Sequence, residues 1–205
     1  MPQTDPSPSD SPAQDPEHLR LTAELALARE QVALLKAQLA EAERLADRDV
    51  LTPLLNRRAF LREVQRAIAI ARRYKSPASV IYFDLNGFKG INDRYGHAAG
   101  DAVLIAVAER LLAAVRAEDV VGRIGGDEFA VLLQRADAPA AAAKAEALLD
   151  TVAADPVHFQ HKYVTIGITF GVREIAAADS AEQALAEADA NMYLRKPQKA
   201  APDTP

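Results

Sequence analysis

Two stretches of the chain carry acids where buried strand would favour apolar residues. Arg123 to Leu133 reads RIGGDEFAVLL, with two glycines and two carboxylates between apolar runs. Ser79 to Leu85 reads SVIYFDL, rich in β-branched and aromatic residues, with Asp84 near its C-terminal end. Gly125-Gly126 suits a two-residue hairpin with positive φ angles, so the glycines alone indicate only a turn. A carboxylate at the end of a buried strand is more informative, because it needs a partner or a cation. If the hairpin lies beside the apolar strand, Asp84 and Asp127 converge. Their repulsion is relieved most simply by Mg²⁺, which takes a few carboxylates together with substrate phosphates. That chemistry predicts an enzyme acting on a nucleotide.

The elements that must position these acids follow from pattern. Residues 1–16, MPQTDPSPSDSPAQDP, contain too little apolar surface to offset the entropy of ordering and are expected to form a disordered arm. Residues 17–48 are strong helix formers without Gly or Pro. With His18 at heptad position a, Leu21, Leu25, Ala28, Val32, Leu35, Leu39, Ala42 and Ala46 fall on successive d and a positions. Glu24 and Arg29 take g and the following e. A parallel, dimeric coiled coil is expected; a single amphipathic helix is the alternative, since Leu27 and Leu34 lie off the seam. Thr52-Pro53 is expected to break this helix. Helices are then predicted over 56–74, 87–95, 98–115, 138–153 and 181–196, with strands over 79–85, 120–124, 128–134, 157–160 and 164–172. Helices alternating with antiparallel hairpins indicate an α+β domain over 49–196, one sheet covered by helices, followed by a flexible tail at 197–205.

Composition narrows the function. A net charge of -5 argues against duplex nucleic acid as the main partner, whose affinity rests on Lys and Arg neutralising phosphates. Without cysteine there is no thiolate metal site, no disulfide framework and no cysteine nucleophile. With no signal-like N-terminus and no apolar run long enough to span a bilayer, a cytoplasmic protein is expected.

From Asp49 to Lys196 a set of motifs occurs in order: DxLT at 49–52, NRRxF at 56–60, DLNGFKGIND at 84–93, GHxxGD at 96–101, RxxD at 116–119 and GGDEF at 125–129. In these the chain resembles the GGDEF family of diguanylate cyclases, which condense two GTP into cyclic di-GMP. The resemblance implies a nucleotidyl-cyclase-like fold with a central, mainly antiparallel sheet. It implies that Asp84, Asp127 and the carbonyl of Leu85 bind Mg²⁺, with Mn²⁺ as an alternative, and that Asp127, Glu128 and Gly126 form the catalytic turn. Asn92 and Asp101 match the guanine readers: a carboxylate accepts from N1–H and the 2-amino group, which adenine does not offer on that edge. Asn86, Gly87, Phe88 and Lys89 match the loop whose backbone N–H groups cradle phosphates, and Lys196 matches a lysine that reaches them. Arg116 and Asp119, nine and six residues before Gly125, match an inhibitory site for the product.

The chain departs from the family pattern at three places. Pro53 stands where the family usually has Gly, Asn86 where many members have Asp, and the Gly-Arg that normally follows the lysine is missing after Lys196. The last departure motivates the alternative reading, a weakly active or inactive domain that serves as a cyclic di-GMP or GTP receptor or scaffold.

Overall fold

The computed structural model describes residues 16–195, with the side chains of residues 40 and 43–45 left out. The predicted arm, save Pro16, and Lys196 with the tail at 197–205 lie outside the described residues. The chain divides into two compact units between Ala46 and Asp47. The first contains α1 (Pro16–Ala46), a 31-residue helix. Its seam residues Leu21, Leu25, Val32, Leu35 and Leu39 are exposed, as are the off-seam Leu27 and Leu34. Among the described residues no helix is long and apolar enough to cross a membrane.

The helix ends at Ala46 rather than running on to 48, because the backbone that follows is committed to a loop. Asn56 N–H donates to the Asp47 carbonyl at 2.8 Å and Asp49 N–H to the Leu54 carbonyl at 3.0 Å. The Arg48 guanidinium donates to the Pro53 carbonyl at 2.7 Å. The loop closes on itself before Pro53 can act as the helix breaker.

The second unit holds β1 (Leu55–Asn56), α2 (Arg57–Tyr74), β2 (Ala78–Leu85), α3 (Phe88–Tyr95), α4 (His97–Ala114), β3 (Val120–Arg123), β4 (Glu128–Gln134), α5 (Ala138–Ala153), β5 (Val157–Phe159), β6 (Lys162–Val164), β7 (Ile168–Glu174) and α6 (Ala181–Arg195). Its main sheet has the order β1-β3-β4-β2-β7. All neighbours are antiparallel except β1 and β3. Two-residue β1 carries no sequence signal of its own. The strand expected over 164–172 is divided: β6 pairs with β5 in a separate ribbon, while β7 joins β2.

Strand β2 is buried on both faces, which is why Val80 to Phe83 is a continuous run of β-branched and aromatic residues rather than alternating with polar ones. Ile81, Phe83 and Leu85, with Phe129, Val131 and Leu133 of β4, belong to a core that takes in Val103, Leu104 and Leu111 of α4 and Leu148 of α5. On the other face Val80, Tyr82, Ala130 and Leu132 join Phe60 and Val64 of α2 and Leu185 and Met192 of α6. Asn56 starts α2 by accepting the Ala59 N–H on its side chain, so the NRR motif opens as an N-cap.

One charged pair ties the loop before α2 to the GGDEF turn. The Asp49 carboxylate accepts from Thr52 N–H at 2.9 Å, the Thr52 hydroxyl at 2.8 Å and the Arg123 guanidinium at 3.1 Å. A second guanidinium nitrogen of Arg123 donates to the Gly126 carbonyl at 2.7 Å. Both charged side chains are largely buried, 13% exposed for Arg123 and 16% for Asp49. Burial pushes the Asp49 carboxyl up, but the Thr52 and Arg123 hydrogen bonds outweigh it and hold it below its ordinary 3.8.

Two outcomes follow from this packing. A Cβ at Gly171 would lie 2.1 Å from the Met192 nitrogen and 2.2 Å from the Ala188 carbonyl oxygen, both α6 backbone. Gly171→Ala is expected to force α6 off the sheet and lower unfolding free energy in urea by about 3 kcal/mol. Asp49 has a depressed folded pKa, so its contribution is present above its unfolded value and lost as pH falls through the folded one. Arg123→Met raises that folded value; thermal melts from pH 7 to 3 are expected to show a loss of about 3 kcal/mol at pH 7 and onset of acid unfolding at higher pH than in the wild type.

Candidate active site

The acids meet at one end of the β2–β4 ladder. Asp84 is paired in register with Glu128, and on its other side with Thr169 of β7. Side chains alternate along a strand, so Asp84 lies on the face of Val80 and Tyr82, and Glu128 on the same face as Ala130 and Leu132. Two carboxylates thus stand opposite one another across the ladder. Asp127 is joined to the same place through its backbone, its carbonyl accepting the Leu85 N–H at 3.2 Å. Asp84, Asp127 and Glu128 are all half-buried and Leu85 is buried. It is Glu128, one residue beyond the acid expected to converge on Asp84, that directly faces it.

The turn differs from the expected two-residue hairpin. The last paired residues are Arg123 and Phe129, and the Ile124 and Gly125 N–H groups both donate to the Glu128 carbonyl, at 2.8 and 3.3 Å. Neither Gly125 nor Gly126 has a positive φ. Gly125 is required for space instead: a Cβ there would lie 1.9 Å from Glu128 Oε2, so the carboxylate occupies the room a side chain would fill. At Gly126, which is exposed, a Cβ would meet nothing within 4 Å, leaving the outer surface of the turn open to close approach.

Beyond Leu85 the chain turns into α3. Gly87, at φ 70°, adopts a left-handed conformation that favours glycine and serves as the N-cap of α3 with no side-chain capping bond. First-turn N–H groups left without a side-chain cap suit an anion. Asn86 is committed to the fold: its Oδ1 accepts the Thr169 hydroxyl at 2.8 Å and its N–H donates to the Gly167 carbonyl at 2.8 Å. Phe88 is half-buried against the core, and Lys89 is exposed.

Asn92 packs against Gly100, the residue before Asp101. Asn92 Oδ1 lies 2.0 Å from where a Cβ on residue 100 would sit, so the amide of α3 lies over the backbone of α4 next to Asp101. The helix-capping contact at Asn92 is made by its carbonyl, which accepts the Gly96 N–H at 2.8 Å, leaving the side chain for other work. Asp101 is exposed. On another side of α3 a cleft of about 320 Å³ is lined by Gly87, Gly90, Arg94, Tyr95 and Tyr163; of the expected site residues only Gly87 lines it.

Arg116 and Asp119 lie apart from these acids, at the turn before β3. Asp119 accepts the Arg116 N–H at 3.1 Å on one oxygen and the Gln134 N–H at 3.1 Å on the other, bracing the turn. The Arg116 side chain is 76% exposed, with Glu118 at 4.0 Å. Arg123 and Asp49, which hold the GGDEF turn from behind, were present in the quoted motifs as the residue two before Gly125 and the first of DxLT. Their contact spans 74 positions and is invisible to local pattern.

Hard oxygen donors at two strand ends fit Mg²⁺. Among the described residues no group of three or more Asp, Glu, His or Cys could hold a metal alone. An ion that completes its shell with substrate phosphates and water needs fewer protein ligands.

Comparison with known proteins agrees with this geometry. Residues 46–201 match the family model described as diguanylate cyclase, GGDEF domain. The chain is 38% identical over 170 residues to the bifunctional diguanylate cyclase/cyclic di-GMP phosphodiesterase MucR of Pseudomonas aeruginosa, covering 80% of this chain but 25% of that protein. It is 39% identical over 159 residues to the diguanylate cyclase TpbB of the same organism, covering 75% of this chain and 36% of TpbB. The chain thus spans well under half the length of these curated relatives. Among solved structures, the coiled coil and GGDEF domain of DgcB from Caulobacter crescentus, in complex with c-di-GMP, superposes with a TM-score of 0.72 at 30% identity, covering 84% of this chain and 92% of that one. The diguanylate cyclase SiaD of Pseudomonas aeruginosa, in complex with its activator SiaC, gives 0.71 at 28% identity over 86% of this chain and 68% of SiaD. The motif set, the α+β sheet with its acids in register, and the match over residues 46–201 establish that the chain belongs to the GGDEF-domain family of diguanylate cyclases.

Proposed function

We propose that the protein is a diguanylate cyclase that condenses two GTP into cyclic di-GMP and releases two pyrophosphates. The observation that carries this reading is the register that sets Asp84 opposite Glu128 with Asp127 bonded to Leu85 beside them. Asp84, Asp127 and the Leu85 carbonyl would hold Mg²⁺, or Mn²⁺, which when bound neutralises the triphosphate and polarises the α-phosphorus. The 3′-hydroxyl of one GTP attacks the α-phosphorus of the other, forming a P–O bond as pyrophosphate leaves. The hydroxyl proton passes to a carboxylate of the Asp127–Glu128 pair, and a second, reciprocal attack closes the ring.

The remaining residues bind and orient. Asn92 and Asp101 read guanine, a reading supported by the glycine at 100, which lets the Asn92 amide lie over the α4 backbone one residue before Asp101. The backbone N–H groups of Gly87, Phe88 and Lys89, at an N-terminus without a side-chain cap, cradle phosphate. Lys196 would add a cation just beyond the last described residue. Asn86 fixes the loop through Thr169 and is proposed as a brace.

Because each site holds one substrate, two loaded domains must face one another. The exposed apolar seam of α1 supports dimerisation through a parallel coiled coil, which raises the effective concentration of the second domain. The exposed Arg116 guanidinium is proposed to bind product phosphate or guanine, with Asp119 shaping the turn beneath it, giving feedback inhibition.

The cyclase reading is tested by incubating protein with GTP and Mg²⁺ and separating the nucleotides. Wild type is expected to form cyclic dinucleotide, Asp127→Ala at least about a hundredfold less, and Asp101→Ala to need at least about tenfold more GTP for half-maximal rate. Arg116→Ala is expected to accumulate more product than wild type at late times. Binding of GTP with no product from wild type in Mg²⁺ or Mn²⁺ would replace the cyclase by the receptor reading. For the coiled coil, full-length Leu25→Glu/Leu35→Glu is expected to sediment as a monomer and to lose most turnover at micromolar concentration; an unchanged rate from a monomer would refute the dimer requirement.

A further inference from the structure

Glycine is an unfavourable residue inside a helix, yet Gly100, the fourth residue of α4, is helical and buried. Its backbone does not call for glycine, because the glycines with positive φ are Gly87 and Gly96. Space calls for it instead. A Cβ on residue 100 would lie 2.0 Å from Asn92 Oδ1 and 3.0 Å from Asn92 Cγ, with Phe88 Cζ at 3.2 Å. Both neighbours belong to α3, and both stand among the residues assigned to GTP, Asn92 to the base and Phe88 to the phosphate loop.

The two contacts differ in kind. The one with Phe88 is relieved when the tip of the ring gives by a few tenths of an ångström. The one with Asn92 Oδ1 is far inside the van der Waals limit, so the oxygen must leave. It is the end of a side chain that turns about χ1 and χ2, and swinging it away parts no helices. Gly171 is the opposite case, because the atoms in the way there are the backbone of α6. Alanine is moreover the better helix former. The fold therefore has little need of glycine at position 100, and what the glycine preserves is the seat of one amide.

We propose that Gly100 is a positioning residue for purine selection: by leaving its Cβ position to Asn92 Oδ1, it holds the amide over α4, one residue before Asp101, where the two side chains engage one guanine. Gly100 itself touches no substrate and acts through Asn92. The proposal rests on the guanine reading of Asn92 and Asp101, whereas the contact between Gly100 and Asn92 does not. An amide can donate to guanine O6, where adenine carries an amino group that donates instead. An amide pushed off α4 costs GTP that bond and costs ATP nothing.

The test uses full-length protein carrying Gly100→Ala, Asn92→Ala, and both. In thermal melts Gly100→Ala is expected to hold the midpoint within about 2 °C of wild type or to raise it. In nucleotide assays with Mg²⁺ it is expected to raise KM for GTP about tenfold with kcat within about twofold, and to leave inhibition by ATP within about twofold of wild type. In the Asn92→Ala background the same substitution is expected to change KM for GTP less than about twofold, because the amide it would displace is already gone. An unchanged KM in the otherwise wild-type protein, an equal rise in both backgrounds, or a matching loss of ATP binding would overturn the proposal. So would a collapse of the midpoint in both backgrounds, which would make Gly100 a packing residue. If wild type forms no product, the same cycle is read from GTP binding by titration calorimetry: a tenfold loss confined to the Asn92 background would sustain Gly100 while the cyclase reading fails, and uncoupled losses would overturn both.

Discussion

The antiparallel register of β2 against β4 is the constraint on which the rest of the site depends. Side chains alternate with a period of two, so a slip of one residue would move every core side chain to the opposite face. It would also carry Glu128 away from Asp84. The register is specified by two cores at once: Ile81, Phe83 and Leu85 must meet α4 and α5, while Val80 and Tyr82 must meet α2 and α6. A strand buried on both faces has no solvent side to which it can default. The placement of two mutually repelling acids is thus enforced by apolar packing several residues away, and it is this that lets the acids be kept close without mutual stabilisation.

A second constraint holds the turn itself. Arg123 leaves β3 just before the glycines and grips the Gly126 carbonyl from behind while paired with Asp49. A largely buried ion pair is poor evidence of net stability, because desolvation offsets much of the attraction. Its value here is geometric: two hydrogen bonds from one planar guanidinium fix the turn relative to the Asp49–Thr52 loop. The Asp49 carboxylate, by accepting from Thr52 N–H and hydroxyl as well, makes that loop a rigid anchor. The first motif of the domain and its last catalytic motif are therefore one structural unit.

Much of this architecture was legible from residue pattern, and the failures have physical causes. The helices were found because their apolar periodicity and caps are local properties, as at Asn56. The strand SVIYFDL was found because continuous β-branched and aromatic residues are unsuited to a surface. The division of 164–172 between β6 and β7 was missed because Thr165 to Gly167 lies in an apolar, β-prone run with no strong breaker except Gly167. The glycines of GGDEF were assigned to positive φ, their commonest use. The structure needs Gly125 for the space taken by Glu128 and keeps Gly126 open. The pairing of acids was expected, but parity decides which one faces Asp84: Glu128 is even with Ala130 and Leu132, and Asp127 lies in the turn. Asp119 stands in a ligand motif, yet its oxygens meet two backbone N–H groups, a local one at Arg116 and one at Gln134, fifteen residues on, which spacing does not encode.

The same geometry explains why a second copy of the domain is needed for the proposed chemistry. The acids sit at the end of two interior strands, with Gly126 and Asp101 exposed, so a nucleotide proposed to bind there would present one face to the protein and the other to solvent. Nothing in a single domain supplies a second guanosine 3′-hydroxyl in line with the α-phosphorus. A partner domain carrying its own nucleotide does, and by symmetry receives the reciprocal attack. In the proposed reading a site left open on one side is incomplete by construction, and rate would depend on how often two such faces meet. The exposed apolar seam of α1 would, in the same reading, meet that requirement through effective concentration. On that proposal it adds no group to the chemistry and would govern it by controlling encounter.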